Sequence, residues 1–280
     1  MKKSLSTNRV TVVIPAFRAA ATLRQTVSSC INQSLVPKII ILVNGSDETF
    51  AVAKSIQNEN PNAMIEVFEP GVAVLPVEAN WTRAIKSSDS EYVKLLCADD
   101  VLHADAIQKQ VDFLDANPTC AFVGSKRSIV TSGNKVLIKS TGGFGLKFEN
   151  SFKRTFISCL LKGTNTIGEP SAVLFRSVLV FAEMPWDATR PYVIDLELYL
   201  RILKNYQMKC GFINEVLCDF RIATNAWSTS LANRQANDFS GLLHQYLETR
   251  LQNIFLAFVL TLTAKMANLG RLLIYKLLRF

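Results

Sequence analysis

Two adjacent carboxylates, Asp99 and Asp100, directly follow the apolar run Tyr92–Leu96. Carboxylates held this close repel each other unless a cation or hydrogen bonds offset the repulsion. Mg²⁺ and Mn²⁺ prefer oxygen ligands and commonly bridge one or two carboxylates to a substrate diphosphate, so the pair indicates a divalent metal site. The alternative is that one Asp caps a helix beginning near Val101, because Asp at a helix N-terminus accepts backbone N–H hydrogen bonds. Spacing alone does not decide between the two.

A third carboxylate, Asp195, begins a segment with helical periodicity that extends to Lys204. A carboxylate can act as a general base only where it lies within hydrogen-bond reach of the proton that it accepts. Spacing alone favours a different interpretation, in which Asp195 is a surface acid at the start of a helix.

The elements that must position these side chains are predicted from hydrophobic patterning. Continuous apolar or β-branched runs predict buried strands at Val10–Ile14, Ile39–Val43, Met64–Phe68 and Tyr92–Leu96, with helical patterns between them. This alternation predicts a doubly wound α/β sheet with parallel strands. Ligands of such sheets bind outside the carboxyl ends of the strands. The segments that follow these ends are Pro15-Ala16-Phe17, Asn44-Gly45-Ser46-Asp47 and Cys97-Ala98-Asp99-Asp100.

The second half of the chain is less regular. We expect a helix from Val101 to Asn117, since Pro118 cannot continue it, and a strand over Cys120–Gly124. The remaining expectations are an inserted, partly mobile segment at 125–170 with a helix near Asn150–Leu161, a strand at Ser171–Phe175, a helix at Asp195–Lys204, a strand pair at Lys209–Ile213 and Glu215–Phe220, and mostly helical structure over 238–279.

Several short segments, taken in their order along the chain, resemble the family 2 glycosyltransferases of the GT-A fold. They are Val12–Phe17, Val43–Thr49, Asn80-Trp81 with Glu91–Leu102, Gly168–Arg176 and Asp195–Arg201. The resemblance covers roughly residues 8–230 and implies a GT-A type, mostly parallel central sheet with flanking helices. It implies a catalytic domain over 1–237, with a nucleotide-binding half (1–124) and an acceptor-side half (125–237). A helical, basic segment would follow at 238–280.

The same resemblance implies roles for individual residues. Asp195 would be the catalytic base of an inverting sugar transfer. Asp99 would hold Mg²⁺ or Mn²⁺ together with the donor diphosphate, and Asp100 is a second candidate ligand. The nucleotide sugar would contact Pro15, Ala16, Phe17, Asn44, Asn80, Ala98 and Asp99, although Asn80 also fits a helix cap. The acceptor or leaving group would lie near Glu169, Arg221 and Trp227.

Three departures from the family pattern keep a second function open. Val43 or Asn44 stands where the family usually has a base-reading Asp, and Cys97 replaces the first acid of the usual Asp-x-Asp. The segment Arg221–Ser228 lacks the His that family members often have after the Arg, so stabilisation of the leaving group would fall to Arg221 or the metal alone. The alternative is a non-catalytic nucleotide-sugar-binding or scaffold protein. A nucleotidyltransferase is disfavoured because Arg18–Ala21 is not a Gly-rich basic loop.

The net charge of +8, from 31 Lys or Arg against 23 Asp or Glu, is concentrated at one end. No acid follows Glu248, whereas five basic residues do, so the first 248 residues carry only +3. This near balance argues against a nucleic-acid partner, which needs clustered cations. The six cysteines form no CxxC pair or Cys/His cluster, so no zinc site is indicated.

The C-terminal segment predicts a membrane contact. Its uncharged run 251–264 has 14 residues, fewer than the ~20 needed to span a bilayer. The following residues interleave basic and bulky apolar side chains, as an interfacial helix does. We therefore expect membrane-surface contact through 250–280 and action in the cytoplasm at the inner face of the membrane, on a glycan or lipid-linked acceptor. Packing on the catalytic domain or in a dimer interface is the alternative for this segment.

Overall fold

The computed structural model describes residues 8–71, 73–222, 230–231, 233–247, 262–270 and 272. The strands are β1 (Val10–Ala16), β2 (Lys38–Val43), β3 (Ile65–Phe68), β4 (Tyr92–Leu95), β5 (Val101–Leu102), β6 (Cys120–Thr131), β7 (Val136–Thr141), β8 (Glu149–Asn150), β9 (Leu174–Arg176) and β10 (Lys209–Ile222). The α-helices are α1 (Leu23–Ile31), α2 (Thr49–Glu59), α3 (Val77–Ser87), α4 (Ala106–Ala116), α5 (Phe152–Lys162), α6 (Ser177–Ala182), α7 (Ile194–Tyr206) and α8 (Gln235–Tyr246). Two 3₁₀ turns lie at Pro170–Ala172 and Pro191–Val193, and residues 262–270 are also helical.

All ten strands belong to one sheet, in the order β3-β2-β1-β4-β9-β6-β10-β5, with β7 on β6 and β8 on β10. Strands β3, β2, β1 and β4 are parallel, as are β6 and β10, whereas β9 runs antiparallel between β4 and β6. This α/β sheet with its flanking helices confirms the predicted fold class. Strand β6 crosses position 124 without a break, so the two predicted halves share one sheet, and α8 crosses position 237.

Strands β1, β2 and β4 are almost entirely buried and mostly apolar because helices cover both faces of the sheet. All seven residues of β1 are buried. Successive side chains of a strand point to opposite faces, and accordingly Val13 packs in one core cluster while Val12 and Ile14 pack in the other. The continuous apolar runs of the sequence therefore predicted the first, parallel part of the sheet correctly.

Several predicted elements differ from the structure. The predicted helix from Val101 to Asn117 is present as α4, but it begins only at Ala106, because Val101–Leu102 form the short strand β5. The segment 125–170 holds regular strands and α5, and the predicted strand pair within 209–220 is the single long strand β10 with bulges. The predicted strand Ser171–Phe175 begins only at Leu174, as β9, because Pro170–Ala172 form a 3₁₀ turn. In each case pairing with distant strands decided the outcome, and local patterning does not reveal such pairing.

Candidate functional site

The carboxyl ends of β1, β2 and β4 lie side by side and bring the predicted donor-binding segments to one edge of the sheet. Phe17, directly after β1, is 46% exposed. Gly45, just after β2, has φ +113, and a Cβ added there would lie 3.4 Å from both the Phe17 ring and Val74. An exposed aromatic ring beside a side-chain-free turn leaves room for a flat ligand group.

Asn44 and Asn80 are more committed to the protein than the sequence suggested. Asn44 is buried, and its amide exchanges two 2.9 Å hydrogen bonds with the backbone of Leu75. Asn80 lies inside α3, whose N-cap is Pro76, so the helix-cap interpretation was wrong. Its side-chain oxygen accepts a 3.1 Å hydrogen bond from Arg83. The Asn44 amide stabilises the loop that contains Leu75, and the Asn80 amide stabilises α3; both lie beside the predicted donor-binding segments.

Cys97, Asp99 and Asp100 form a group whose ligand atoms all lie within 4.8 Å of one another. Asp99 lines a cavity of about 370 Å³, and Ala98 is buried beside it. Burial raises the pKa of Asp99, and burial together with the Asp99 charge raises that of Asp100 well above its usual range. A divalent cation would offset this cost. The oxygen donors of the pair fit Mg²⁺ or Mn²⁺, with Asp99 as the ligand that faces the cavity.

Asp100 is turned into the protein. It is fully buried, accepts a 2.8 Å hydrogen bond from the backbone N–H of Arg221, and accepts another from the Ser171 hydroxyl. Neither carboxylate caps a helix, because β5 follows them directly. The capping interpretation is therefore wrong, and Asp100 connects the turn Cys97–Asp100 to β10.

Arg221 is only 3% exposed, and its guanidinium donates to five protein oxygens. The acceptors are the carbonyls of Asp99 (2.7 Å), Thr131 (3.1 Å) and Ser132 (3.1 Å) and the side-chain oxygens of Asn134 (2.8 Å) and Gln25 (2.9 Å). These hydrogen bonds indicate that Arg221 positions the turn that carries Asp99. Arg221 also lines the cavity, so its contact with a leaving group stays a prediction.

The 3₁₀ turn Pro170–Ala172 is fixed by side chains from two strands and a helix. Lys94, 1% exposed, donates to the carbonyls of Ser171 (2.8 Å) and Val173 (3.0 Å). Gln110 and Ser125 donate to the Ala172 carbonyl at 2.8 Å and 3.3 Å. Burial lowers the pKa of Lys94 to about 8. The turn therefore holds Glu169, at its N-cap, in a fixed place on the cavity wall.

Glu169 forms a buried ion pair with Arg127 of β6, whose Nη2 donates to the Glu169 carboxylate at 2.9 Å. Both side chains line the cavity, as does Asp195 at the start of α7. The structure thus brings together Asp99, Glu169 and Asp195, which the sequence placed in one site. Sequence reasoning missed Arg127, although a basic residue within the apolar run of a strand was a usable signal.

Asp195 is held by two hydrogen bonds. The Asn165 amide donates to one oxygen at 2.8 Å, and the backbone N–H of Leu196 donates to the other at 2.7 Å. Burial, reinforced by the charge of Glu169, raises the pKa of Asp195 to about 7. A carboxylate whose pKa lies near neutrality is well matched to accept a proton from a hydroxyl. Asn165 is a second site residue that the sequence analysis missed.

The aromatic candidates have different outcomes. Trp227 lies outside the described residues. Trp81 lines the cavity and packs edge-on against Trp186, with ring centroids 5.2 Å apart. Its half-buried ring therefore serves both the core and the cavity wall.

Within the described part of the chain, no helix combines the length and apolar character that crossing a bilayer requires. The prediction that 251–264 does not span concerns residues most of which lie outside that part. Helix 262–270 packs Ala264 into the core, and the Thr263 hydroxyl donates to the Leu160 carbonyl at 2.8 Å. This part of the C-terminal segment therefore contacts the catalytic domain, as the alternative interpretation expected.

Comparisons with known proteins agree with this geometry. The model of the family described as Glycosyl transferase family 2 matches residues 11–180. TuaG of Bacillus subtilis (strain 168), named as a glycosyltransferase of teichuronic acid biosynthesis, is 25% identical over 226 residues, which are 79% of this chain and 82% of TuaG.

Two solved structures share the fold. S. aureus TarS 1–349 in complex with UDP-GlcNAc has a TM-score of 0.63 and 13% identity, and the match covers 84% of this chain and 64% of that one. The mannosyltransferase PcManGT from Pyrobaculum calidifontis, in complex with GDP-Man and Mn²⁺, has a TM-score of 0.60 and 14% identity, covering 99% and 86%. This chain thus spans a little under two thirds of the TarS fragment.

Proposed function

Because the chain belongs to glycosyl transferase family 2, we propose that it transfers a sugar from a nucleotide-sugar donor to an acceptor hydroxyl, with inversion at the anomeric carbon. The observation that carries this proposal is the shared cavity of Asp99 and Asp195. One carboxylate faces the cavity beside a second acid, and the other has a pKa of about 7. The two can therefore divide the work of metal binding and proton transfer.

In the proposed reaction Asp195 accepts the proton of the acceptor hydroxyl. The oxygen of that hydroxyl attacks the anomeric carbon from the side opposite the leaving group. The bond from that carbon to the diphosphate oxygen breaks, and the nucleoside diphosphate leaves with the electron pair. Asn165 and the Leu196 N–H orient the Asp195 carboxylate. A divalent metal held by Asp99, when bound, would neutralise charge on the diphosphate.

The remaining residues of the site are assigned to binding. We propose that the nucleotide stacks on the exposed Phe17 ring beside Gly45. Pro15 and Ala16, which are buried at the end of β1, would position that ring. Asn44 and Asn80 would act through the loop and helix they hold. Glu169, fixed by Arg127 on the cavity wall, is placed to hydrogen-bond a sugar hydroxyl.

We propose surface polysaccharide assembly as the pathway class, with a glycan or lipid-linked acceptor. The likeness to TuaG, whose name refers to teichuronic acid biosynthesis, supports this class. We further propose that the chain works at the cytoplasmic face of the membrane through residues 250–280, where no acid offsets the five basic residues. The candidate donors are those bound in structures of the same fold, UDP-GlcNAc in TarS and GDP-Man in PcManGT, and Mn²⁺ accompanies the second.

A donor panel tests the proposal. Thermal unfolding of the full chain with UDP-GlcNAc, UDP-glucose or GDP-mannose, each with and without Mn²⁺, should show stabilisation by one donor that depends on the metal. Release of the nucleoside diphosphate in the presence of acceptor should follow for that donor. Stabilisation without any turnover would support the non-catalytic alternative, and the absence of any stabilisation would contradict donor binding.

A further inference from the structure

A second basic stretch, distinct from the C-terminal one, lies in the middle of the chain. Residues 116–168 contain eight Lys or Arg and a single acid, Glu149, which gives them a net charge of +7. Two of these cations do not contribute to an exposed basic surface, because Arg127 forms an ion pair with Glu169 and Lys126, in β6, is half-buried. The others lie on exposed positions: Lys135, Lys139, Lys147, Lys153, Arg154 and Lys162.

Helix α5 presents apolar side chains among these cations. Ile157 and Leu161, one turn apart and therefore on the same side, are 41% and 53% exposed. Lys153 and Lys162 flank them and are exposed. We call these four residues the α5 face. The opposite side of the helix packs Phe156, Cys159 and Leu160 into the core, which fixes the face outward.

The two neighbours of the α5 face have the same character. On one side, the Phe144 ring, 48% exposed, lies 5.3 Å from the Lys162 ammonium. On the other side, helix 262–270 begins against the end of α5, where Thr263 bonds to Leu160. That helix buries Ala264 and leaves Met266 and Leu269 more than 60% exposed. The two acid-poor stretches of the sequence therefore meet in space.

We propose that the α5 face is a docking surface for an anionic lipid membrane. Bulky apolar side chains flanked by Lys, without carboxylates on the helix, match the interface between lipid headgroups and acyl chains. Anionic lipids attract such cations, and each cation adds to the binding. A protein partner would need acidic side chains around an apolar patch to complement Lys153 and Lys162. Two copies of the α5 face would repel each other, because each carries these same lysines.

The α5 face also lies near the cavity. Ile138 and Thr141 of β7 line the cavity, and Phe144, beside the α5 face, is only three positions further along the chain than Thr141. Three residues span at most about 11 Å. A membrane bound to α5 would therefore bring a lipid-linked acceptor close to Asp195. This use of the surface rests on the proposed function, whereas the surface itself rests on the charge and exposure described above.

Sedimentation of the full chain with vesicles tests the proposal. The chain should bind vesicles of phosphatidylglycerol mixed with phosphatidylcholine and should be released by high salt, while vesicles of phosphatidylcholine alone should bind it far less. Replacing two cations, K153Q/K162Q, should weaken binding roughly 30-fold. I157S/L161S should weaken it at least about tenfold. The matched controls V178S and K86Q, at exposed positions on other helices, should bind as the parent chain does.

A fluorescent probe on I157C supplies a local readout, and its emission should shift to the blue only when anionic vesicles are added. Unchanged vesicle binding by both α5 variants would overturn the proposal. A blue-shifted probe without vesicles would also overturn it, because the face would then be covered by protein. The proposal would also be overturned if the parent chain formed a dimer that I157S/L161S dissociates. Donor-dependent thermal stabilisation should be equal in all variants, and its absence from the parent chain would contradict the proposed function alone.

Discussion

The carboxylate of Asp100 accepts a hydrogen bond from the backbone N–H of Arg221, 121 positions further along the chain, at 2.8 Å. The same Arg221 returns a 2.7 Å hydrogen bond from its guanidinium to the Asp99 carbonyl. Two hydrogen bonds thereby connect the turn Cys97–Asp100 to β10. This connection divides two adjacent, chemically identical carboxylates between an internal structural position and the cavity.

Replacing Asp195 should remove the proton acceptor. For D195N we expect a fall in kcat of about 10²- to 10⁴-fold with little change in donor affinity, because the amide keeps the shape but accepts no proton. Donor affinity is measured by thermal shift, and turnover by release of nucleoside diphosphate. D187N, in the preceding loop, is the control and should keep full activity. A D195N chain with unchanged kcat would contradict the assignment.

The pH profile should report the same residue. Since Asp195 works as a carboxylate and its pKa is about 7, kcat/KM should rise as pH increases through about 7 and then level off. The charge of Glu169 raises this pKa and that of Arg127 lowers it. E169Q should therefore move the midpoint to lower pH, whatever it does to the maximal rate. A midpoint that stays in place or moves upward would exclude this electrostatic coupling.

Metal dependence should follow Asp99. For D99N we expect loss of the Mn²⁺-dependent part of donor stabilisation, because the carboxylate facing the cavity would no longer bind the cation. The thermal shift of the full chain with donor, with and without Mn²⁺, measures this part. D105N, exposed near the same strand end, should retain it. Metal-dependent stabilisation that persists in D99N would assign the ion to other ligands.

Arg221 should behave as a positioning residue. R221K keeps the charge but cannot reach five acceptors, so unfolding in urea should show a loss of about 2–4 kcal/mol. The Mn²⁺-dependent donor shift should weaken as well, because the turn that carries Asp99 loosens. R24K, at an exposed ion pair with Glu59, should change stability far less than R221K does. A fully stable R221K chain with lower kcat would instead support contact with the leaving group.

Lys94 should make stability depend on pH. Its pKa is about 8 in the folded chain and 10.5 in the unfolded chain, so the unfolded state binds more protons between these values. Stability of the parent chain relative to K94M should therefore rise with pH from about 8 to 10.5, by roughly 2–3 kcal/mol. Urea unfolding across this range measures the difference. A flat difference would mean that Lys94 titrates normally.

The sequence predicted the parallel half of the fold because its strands are buried on both faces, which leaves uninterrupted runs such as Val10–Ile14 and Ile39–Val43. It also placed Asp99 and Asp195 in one site through the order of motifs. It could not separate Asp99 from Asp100, because that distinction depends on Ser171 and Arg221, which are distant in sequence. The hydrogen bonds by which Arg221 holds the Asp99 turn could not be predicted for the same reason, because acceptors such as Thr131 and Gln25 are distant in sequence.

The pairing of β10 with β6 also bears on how the protein is made. The cavity takes side chains from Trp81 to Leu231, and β10 supplies Arg221 near its end. Contacts between such distant positions form slowly, since the intervening chain must first be closed into loops. During synthesis the N-terminal strands emerge first and can pair early, whereas the site is incomplete until β10 has been made. The proposed donor and metal would therefore selectively stabilise chains in which β10 is correctly placed.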